Sequence, residues 1–276
     1  MTAPDPRQTF KTFEHDGWES VAAPYRDAFS SLTLQSVEAL LDAVGAAPGV
    51  RLLDVACGPG DASAAAAARG ATVTGMDFAQ AMVAQASRLH PGVTFRTGDA
   101  ESLPFADGSF DAVVINFGVL HFADPDRAIA EAGRVLVAGG RFAFTVWAPP
   151  EQCEGFAIVL RAIEAHGRLD VALPEGPPFF RFADHDECRR VLGAAGLSST
   201  SVRELPMRWR LPSPNALIDA FLEGGVRTRG LLMAQPPGAL AAIREDARRE
   251  ATRFAGEHGV EFPMPAVLAS GVKAPR

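Results

Sequence analysis

Between residues 51 and 147 the chain repeats one alternation: a short apolar run, a turn marked by glycine or proline, then a stretch with helical spacing. The apolar runs cover 51–56, 71–76, 93–97, 112–116 and 141–147, and helical patterns fill 61–69, 79–89 and 126–136. Helices joining consecutive strands impose right-handed crossovers, and such crossovers build a mostly parallel sheet covered on both faces. The expected fold is α/β, a doubly wound, Rossmann-like sheet.

The flanks read differently. Residues 1–48 are helical by periodicity, with Val21, Tyr25, Phe29, Val37, Leu40, Leu41 and Val44 at helical spacing. After Trp147 the rhythm breaks at Pro149 and Pro150, followed by a helix over 154–165 and a proline-rich loop over 173–182. A helix over 186–195 and a strand over 199–204 follow, then a mostly helical stretch over 212–258 and a last strand over 266–270. One domain, 1–276, accounts for this order. Its expected parts are a core over 49–148, cap segments over 149–182 and 206–263 that bind the acceptor, and the end of the sheet over 183–205 and 264–276.

Bulk properties narrow the function. The chain is 47% hydrophobic, enough for a sizeable core, and its net charge is −7. Proteins that grip nucleic acid carry basic patches, so no nucleic-acid partner is expected. Cys57, Cys153 and Cys188 are an odd, scattered set with no disulfide framework and no metal-ligand spacing, and no metal is expected. Residues 1–6 lack the pattern of a signal peptide, and no apolar run approaches a membrane span. A soluble, cytoplasmic protein without membrane attachment is expected.

The chemistry-bearing residues sit at strand ends. The turn Ala56-Cys57-Gly58-Pro59-Gly60 follows the first strand, where glycines let backbone approach a ligand. Asp77 ends the second strand, placed either to accept from both hydroxyls of a ribose or to cap the next helix. Thr97-Gly98-Asp99-Ala100-Glu101-Ser102-Leu103-Pro104-Phe105 follows the third.

Taken with Leu53-Asp54-Val55, Phe110-Asp111-Ala112 and Arg134-Val135-Leu136, these motifs, in this order, resemble class I S-adenosylmethionine-dependent methyltransferases. The likeness is nearest to the small-molecule enzymes of ubiquinone and menaquinone biosynthesis, and it covers about residues 18–147. It implies a seven-stranded sheet with the last strand antiparallel, S-adenosylmethionine as cofactor and a small, largely apolar organic acceptor. It also implies site roles. Asp54 and the backbone of Ala56, Cys57, Gly58 and Gly60 face the methionine part. Asp77 holds the ribose, with Phe78 and Met82 around the adenine. Asp99, Ala100 and Glu101 lie at the adenine edge, Asn116 and Phe117 at the sulfonium, and Trp18 and Tyr25 fold over from a leading helix. Phe95 and Phe110 are expected in the core. His121, after the fourth strand, is the candidate base or acceptor-orienting group. Arg181, Arg227 and Arg229 either are solvated or pair with a local acid, or read an acidic acceptor.

Two other functions fit parts of the pattern. An NAD-type oxidoreductase shares the Gly58–Gly60 turn and Asp77, but Ser63 stands where its third glycine belongs. A methyltransferase-like protein that binds the cofactor without turnover would carry the same motifs, since fold alone proves no activity.

Overall fold

A computed structural model describes residues 5–275; residues 1–4, which carry most of the signal-peptide reading, and residue 276 lie outside the described residues. Seven strands form the main sheet in the order β3-β2-β1-β4-β5-β10-β6. They are β1 (Arg51–Val55), β2 (Thr72–Asp77), β3 (Thr94–Thr97), β4 (Phe110–Asn116), β5 (Leu136–Trp147), β6 (Leu197–Leu205) and β10 (Ala266–Lys273). Neighbours from β3 to β5 pair in parallel, whereas β10 runs antiparallel between β5 and β6. The chain order and the strand directions agree with the expected doubly wound sheet.

Burial follows from that topology. In β1, Leu52 to Val55 are all buried, and β4 buries Ala112 to Ile115, because helices cover both faces of central parallel strands. The covering helices are α3 (Val37–Val44), α4 (Asp61–Ala68), α5 (Gln80–Leu89), α6 (Pro125–Val135) and α8 (His185–Ala194). At the edge, β3 leaves only Phe95 half-buried, where it packs against Gly75 and Gly60. Phe110 is buried as expected.

Helix α1 (Pro6–Tyr25) begins at an N-cap, Asp5, whose side chain accepts from the Arg7 amide, with Pro6 in the first turn. Pro24 ends its regular hydrogen bonding. A π-helical stretch, Arg26–Ser30, follows, then α2 (Ser31–Thr33) and a 3-10 turn, Leu34–Ser36.

The remaining helices are α7 (Glu154–His166), α9 (Ala216–Gly224), α10 (Arg227–Met233) and α11 (Ala239–Ala251). They gather with α1 above the carboxyl ends of the strands. A second sheet of three strands, β7 (Arg208–Leu211), β9 (Gly259–Pro263) and β8 (Ala255–Gly256), ties this layer down, a feature absent from the sequence-based expectation. Trp209 of β7 and Phe262 of β9 anchor it in the common core at 0% exposure. No helix among the described residues is long and apolar enough to cross a membrane.

Candidate functional site

The loops that follow β1, β2 and β4 enclose a cleft of about 690 Å³, roofed by α1. Adjacent parallel strands whose connections leave in opposite directions open such a crevice. Ala56 and Phe117, the first residues beyond β1 and β4, both have φ of 54°, a left-handed conformation costly for side-chain-bearing residues. Turning the backbone there carries both loops away from the strand ends and leaves the cleft between them. Gly58, at φ 51°, would point a Cβ into open space, whereas a Cβ on Gly60, at φ 87°, would meet Phe95 Cζ at 2.8 Å. Gly58 therefore keeps the cleft open, and Gly60 seats the turn against β3.

Two buried carboxylates line the cleft. Asp54 Oδ2 accepts from Ser63 Oγ at 2.6 Å, while Asp54 Oδ1 is buried without a hydrogen-bond partner. Burial pushes the Asp54 carboxyl up to about 7 and that of Asp77 up to about 6. Asp77 Oδ2 accepts from the Gly58 amide and Oδ1 from the Ala79 amide, both at 2.9 Å. Asp77 does not cap α5. Glu19 of α1 does, accepting from the amides of Gln80 and Ala81 at 2.5 and 3.0 Å. Cys57 is buried beside both acids, and desolvation holds its thiol well above the ordinary value, so it is no nucleophile.

A side recess joins the cleft past Asp77 and Phe78, lined by Gly98, Asp99, Ala100 and Glu101. Lys11 of α1 reaches into it, 2.5 Å from Asp99 Oδ2 and 3.1 Å from Glu101 Oε2. Asp99 Oδ1 also accepts from the Glu101 amide. Asn116 is held by its surroundings: its Oδ1 accepts from Ser36 and Thr145, and its Nδ2 donates to the Thr33 carbonyl.

A second chamber of about 460 Å³ opens from the first, sharing Trp18, Tyr25, Thr33, Phe117 and His121 with it. Phe29, Trp147, Phe156, Phe179 and Phe221 complete its aromatic walls, and Arg227 its polar end. The Tyr25 hydroxyl is raised to about 12 by desolvation and remains a neutral phenol. His121 Nδ1 lies 3.0 Å from Glu14 Oε2, and Trp18 Nε1 donates to the same oxygen at 3.2 Å. Arg227 stacks over Phe10 and Phe179, donates to the carbonyls of Leu120 and Pro177, and stands 3.9 Å from Glu14 Oε1. Its charge is thus balanced within the wall.

The structure brings together Trp18, Tyr25, Asp54, Ala56, Cys57, Gly58, Asp77, Phe78, Met82, Asn116, Phe117 and His121 around the cleft. Asp99, Ala100 and Glu101 line the recess, and Gly60 supports the turn from behind. Arg181 and Arg229 are not brought in. Arg181 is engaged by Asp126 and Glu187 at 2.5 and 2.6 Å, and Arg229 is exposed outside the chamber lining. Lys11, Glu14 and Glu19 escaped the sequence reading, because acids and lysines on a helix are normally solvated. A signal existed for Glu14: it falls between Phe10 and Trp18 at four-residue steps, within an apolar stripe.

Comparisons with known proteins agree with this geometry. Residues 53–144 match the methyltransferase domain family. A demethylmenaquinone methyltransferase of Beutenbergia cavernae is 46% identical over 123 residues, 43% of this chain and 51% of that protein. The chain spans about half the length of the curated relatives it matches. Among solved structures, the YcgJ protein of Bacillus subtilis superposes with a TM-score of 0.59 at 21% identity, covering 87% of this chain and 99% of that one. The [4+2]-cyclase SpnF superposes at 0.56 with 20% identity, covering 100% of this chain and 99% of that one. The matched segment holds most of β1, all of β2 to β4 and most of β5. Residues 53–144 are thus similar to a methyltransferase domain, set in a fold that these solved structures share.

Proposed function

We propose that the protein transfers a methyl group from S-adenosylmethionine to a small, largely apolar acceptor of the hydroquinone type. The observation that carries the cofactor is Asp54 Oδ1, a buried carboxylate oxygen without a partner at the wall of the cleft. A buried acceptor left unpaired is costly, and an ammonium group from a ligand would satisfy it. The free space over Gly58 admits that ligand beside it. The residues present therefore fit the cofactor.

Asp54 and the backbone from Ala56 to Gly60 would hold the methionine part, and Asp77 the ribose diol. Phe78 and Met82 would flank the adenine, with Asp99, Ala100 and Glu101 at its edge. Asn116 and Phe117 would border the sulfonium under Trp18 and Tyr25. When bound, S-adenosylmethionine supplies a methyl already activated by its sulfonium. The chain's own work is alignment, which is worth about 7–11 kcal/mol in favourable systems. The aromatic second chamber orients a flat acceptor toward the junction, and closing α1 keeps water out. His121, at the junction, takes or orients the acceptor's proton.

The acceptor class rests on the aromatic walls of the second chamber and on the demethylmenaquinone enzymes among the relatives. Ser63, buried and bonded to Asp54, disfavours a nicotinamide enzyme, because its side chain fills the close helix–strand contact that a glycine serves there. Calorimetry with S-adenosylhomocysteine and with NADH tests the cofactor; binding of NADH alone would refute it. Labelled S-adenosylmethionine with a short-chain demethylnaphthoquinol tests the acceptor. His121→Ala is expected to slow transfer while cofactor affinity stays nearly unchanged. Unaltered turnover would remove that role, and cofactor binding without transfer to any acceptor would favour a non-transferring protein of this fold.

A further inference from the structure

Glu14 is 0% exposed, in a helix face otherwise made of Phe10, Val21 and Ala22. Burying a carboxylate carries a desolvation cost of several kcal/mol that a leucine in the same place would avoid. Packing therefore gives no reason for an acid here. Its oxygens are used asymmetrically. Oε2 accepts from Trp18 Nε1 and meets His121 Nδ1, while Oε1 takes no hydrogen bond and has the Arg227 guanidinium at 3.9 Å. The His121 ring is fixed edge-on between Trp18, at 4.8 Å between centroids, and Phe179, at 6.0 Å.

We propose that Glu14 is the positioning residue of His121: it holds the proton on Nδ1 and leaves Nε2 as the lone-pair nitrogen at the junction of the two chambers. The inference rests on the methyltransferase reading for its chemistry, but its geometry stands without it. A neutral imidazole that donates from one ring nitrogen to a carboxylate has only a lone pair, an acceptor, at the other. Nε2 makes no hydrogen bond to the protein among the described residues. An acceptor hydroxyl placed there gives its proton to Nε2, and the O–H bonding pair stays on the acceptor as the nucleophile's electrons. The imidazolium so formed lies against the Glu14 carboxylate and releases its proton to solvent after the chamber opens. Because Glu14 belongs to α1 and His121 to the loop after β4, the base is assembled only when α1 lies over the cleft. An acceptor is therefore deprotonated less readily in an open site.

The test uses the full chain, labelled with ¹⁵N-histidine and saturated with S-adenosylhomocysteine; the His121 signals are assigned by their loss in His121→Asn. The nitrogen shifts should show the Nδ1–H tautomer in the wild type and in Glu14→Gln, which keeps an acceptor oxygen. In Glu14→Leu the population should move toward Nε2–H. Transfer to the demethylnaphthoquinol should fall at least about tenfold in kcat for Glu14→Leu, with acceptor KM and S-adenosylhomocysteine affinity within twofold, and recover in part in Glu14→Gln. An Nε2–H ring in the wild type, or an unchanged tautomer in Glu14→Leu, overturns the proposal. If Glu14→Leu does not fold, the wild-type and Glu14→Gln tautomers still decide it. Loss of S-adenosylhomocysteine binding in the wild type would defeat the cofactor reading separately.

Discussion

Asp77 and Gly58 are joined by a 2.9 Å hydrogen bond that ties the end of β2 to the turn after β1. The same carboxylate thus shapes the cleft and faces it. Asp77→Ala removes two backbone hydrogen bonds to a buried carboxylate as well as the proposed ribose partner. Charge-assisted bonds contribute about 1.5–3 kcal/mol each. S-adenosylhomocysteine affinity should fall at least about tenfold while circular dichroism keeps the native spectrum. Unchanged affinity by calorimetry would remove Asp77 from the ribose.

The two glycines of the turn should separate under mutation. Gly58→Ala costs about 1–2 kcal/mol for its left-handed backbone and puts a methyl group into the cleft, so binding should suffer more than stability. Gly60→Ala carries the same backbone cost and adds a collision with Phe95 Cζ at 2.8 Å. It should lower the melting temperature further than Gly58→Ala does. Equal effects on binding and melting in the two variants would contradict the division of labour.

Asp54 and Asp77 are raised from an ordinary 3.8 to about 7 and about 6 by burial. A carboxyl raised in the folded state contributes stability that is complete below its unfolded value and lost as pH rises through the folded one. Without ligand, these two groups should therefore cost stability progressively between pH 3.8 and about 7. Asp111, Asp126, Glu131 and Glu187, lowered chiefly by arginine hydrogen bonds, act in the opposite sense at lower pH. Asp54→Asn should gain on the wild type in thermal unfolding across that window. S-adenosylhomocysteine should be bound with proton release near neutral pH, read by calorimetry in buffers of different ionisation enthalpy.

Lys11 and Glu19 fasten α1 at two points, the recess and the first turn of α5. Lys11→Met or Glu19→Gln should each speed departure of S-adenosylhomocysteine about tenfold, equivalent to ~1.4 kcal/mol, near the lower end of what a charged hydrogen bond contributes. Stopped-flow fluorescence of Trp18 measures it. Rates equal to wild type in both variants would show that α1 does not retain the ligand.

Much of this was written in periodicity. The core strands read plainly because glycine or proline bounds them and helix-spaced residues follow most of them, and the strand ends exposed Asp77 and Asp99. The small sheet did not. Its strands are 4, 2 and 5 residues long, β7 lies between Pro206 and Pro212 and β9 ends at Pro263, so no window is long enough to show a period. Partnerships across the fold were equally hidden. Nothing local links Lys11 to Asp99, 88 positions away, or Glu14 to His121, 107 away. The partners of Arg181 were hidden for a related reason, since its engagement by Asp126 and Glu187 depends on α6 meeting α8.

The two chambers share a partition, and Trp18 and Tyr25 in it both hang from α1, just before the wide π-helical turn at Arg26–Ser30. A partition carried on one rod cannot be shifted for one occupant alone. Whichever molecule enters first sets the width left for the second, so the two bindings are coupled through the architecture. Steady-state patterns should be sequential, with each bound molecule changing the affinity for the other, and a bulky product left in the aromatic chamber should trap its partner behind the same door.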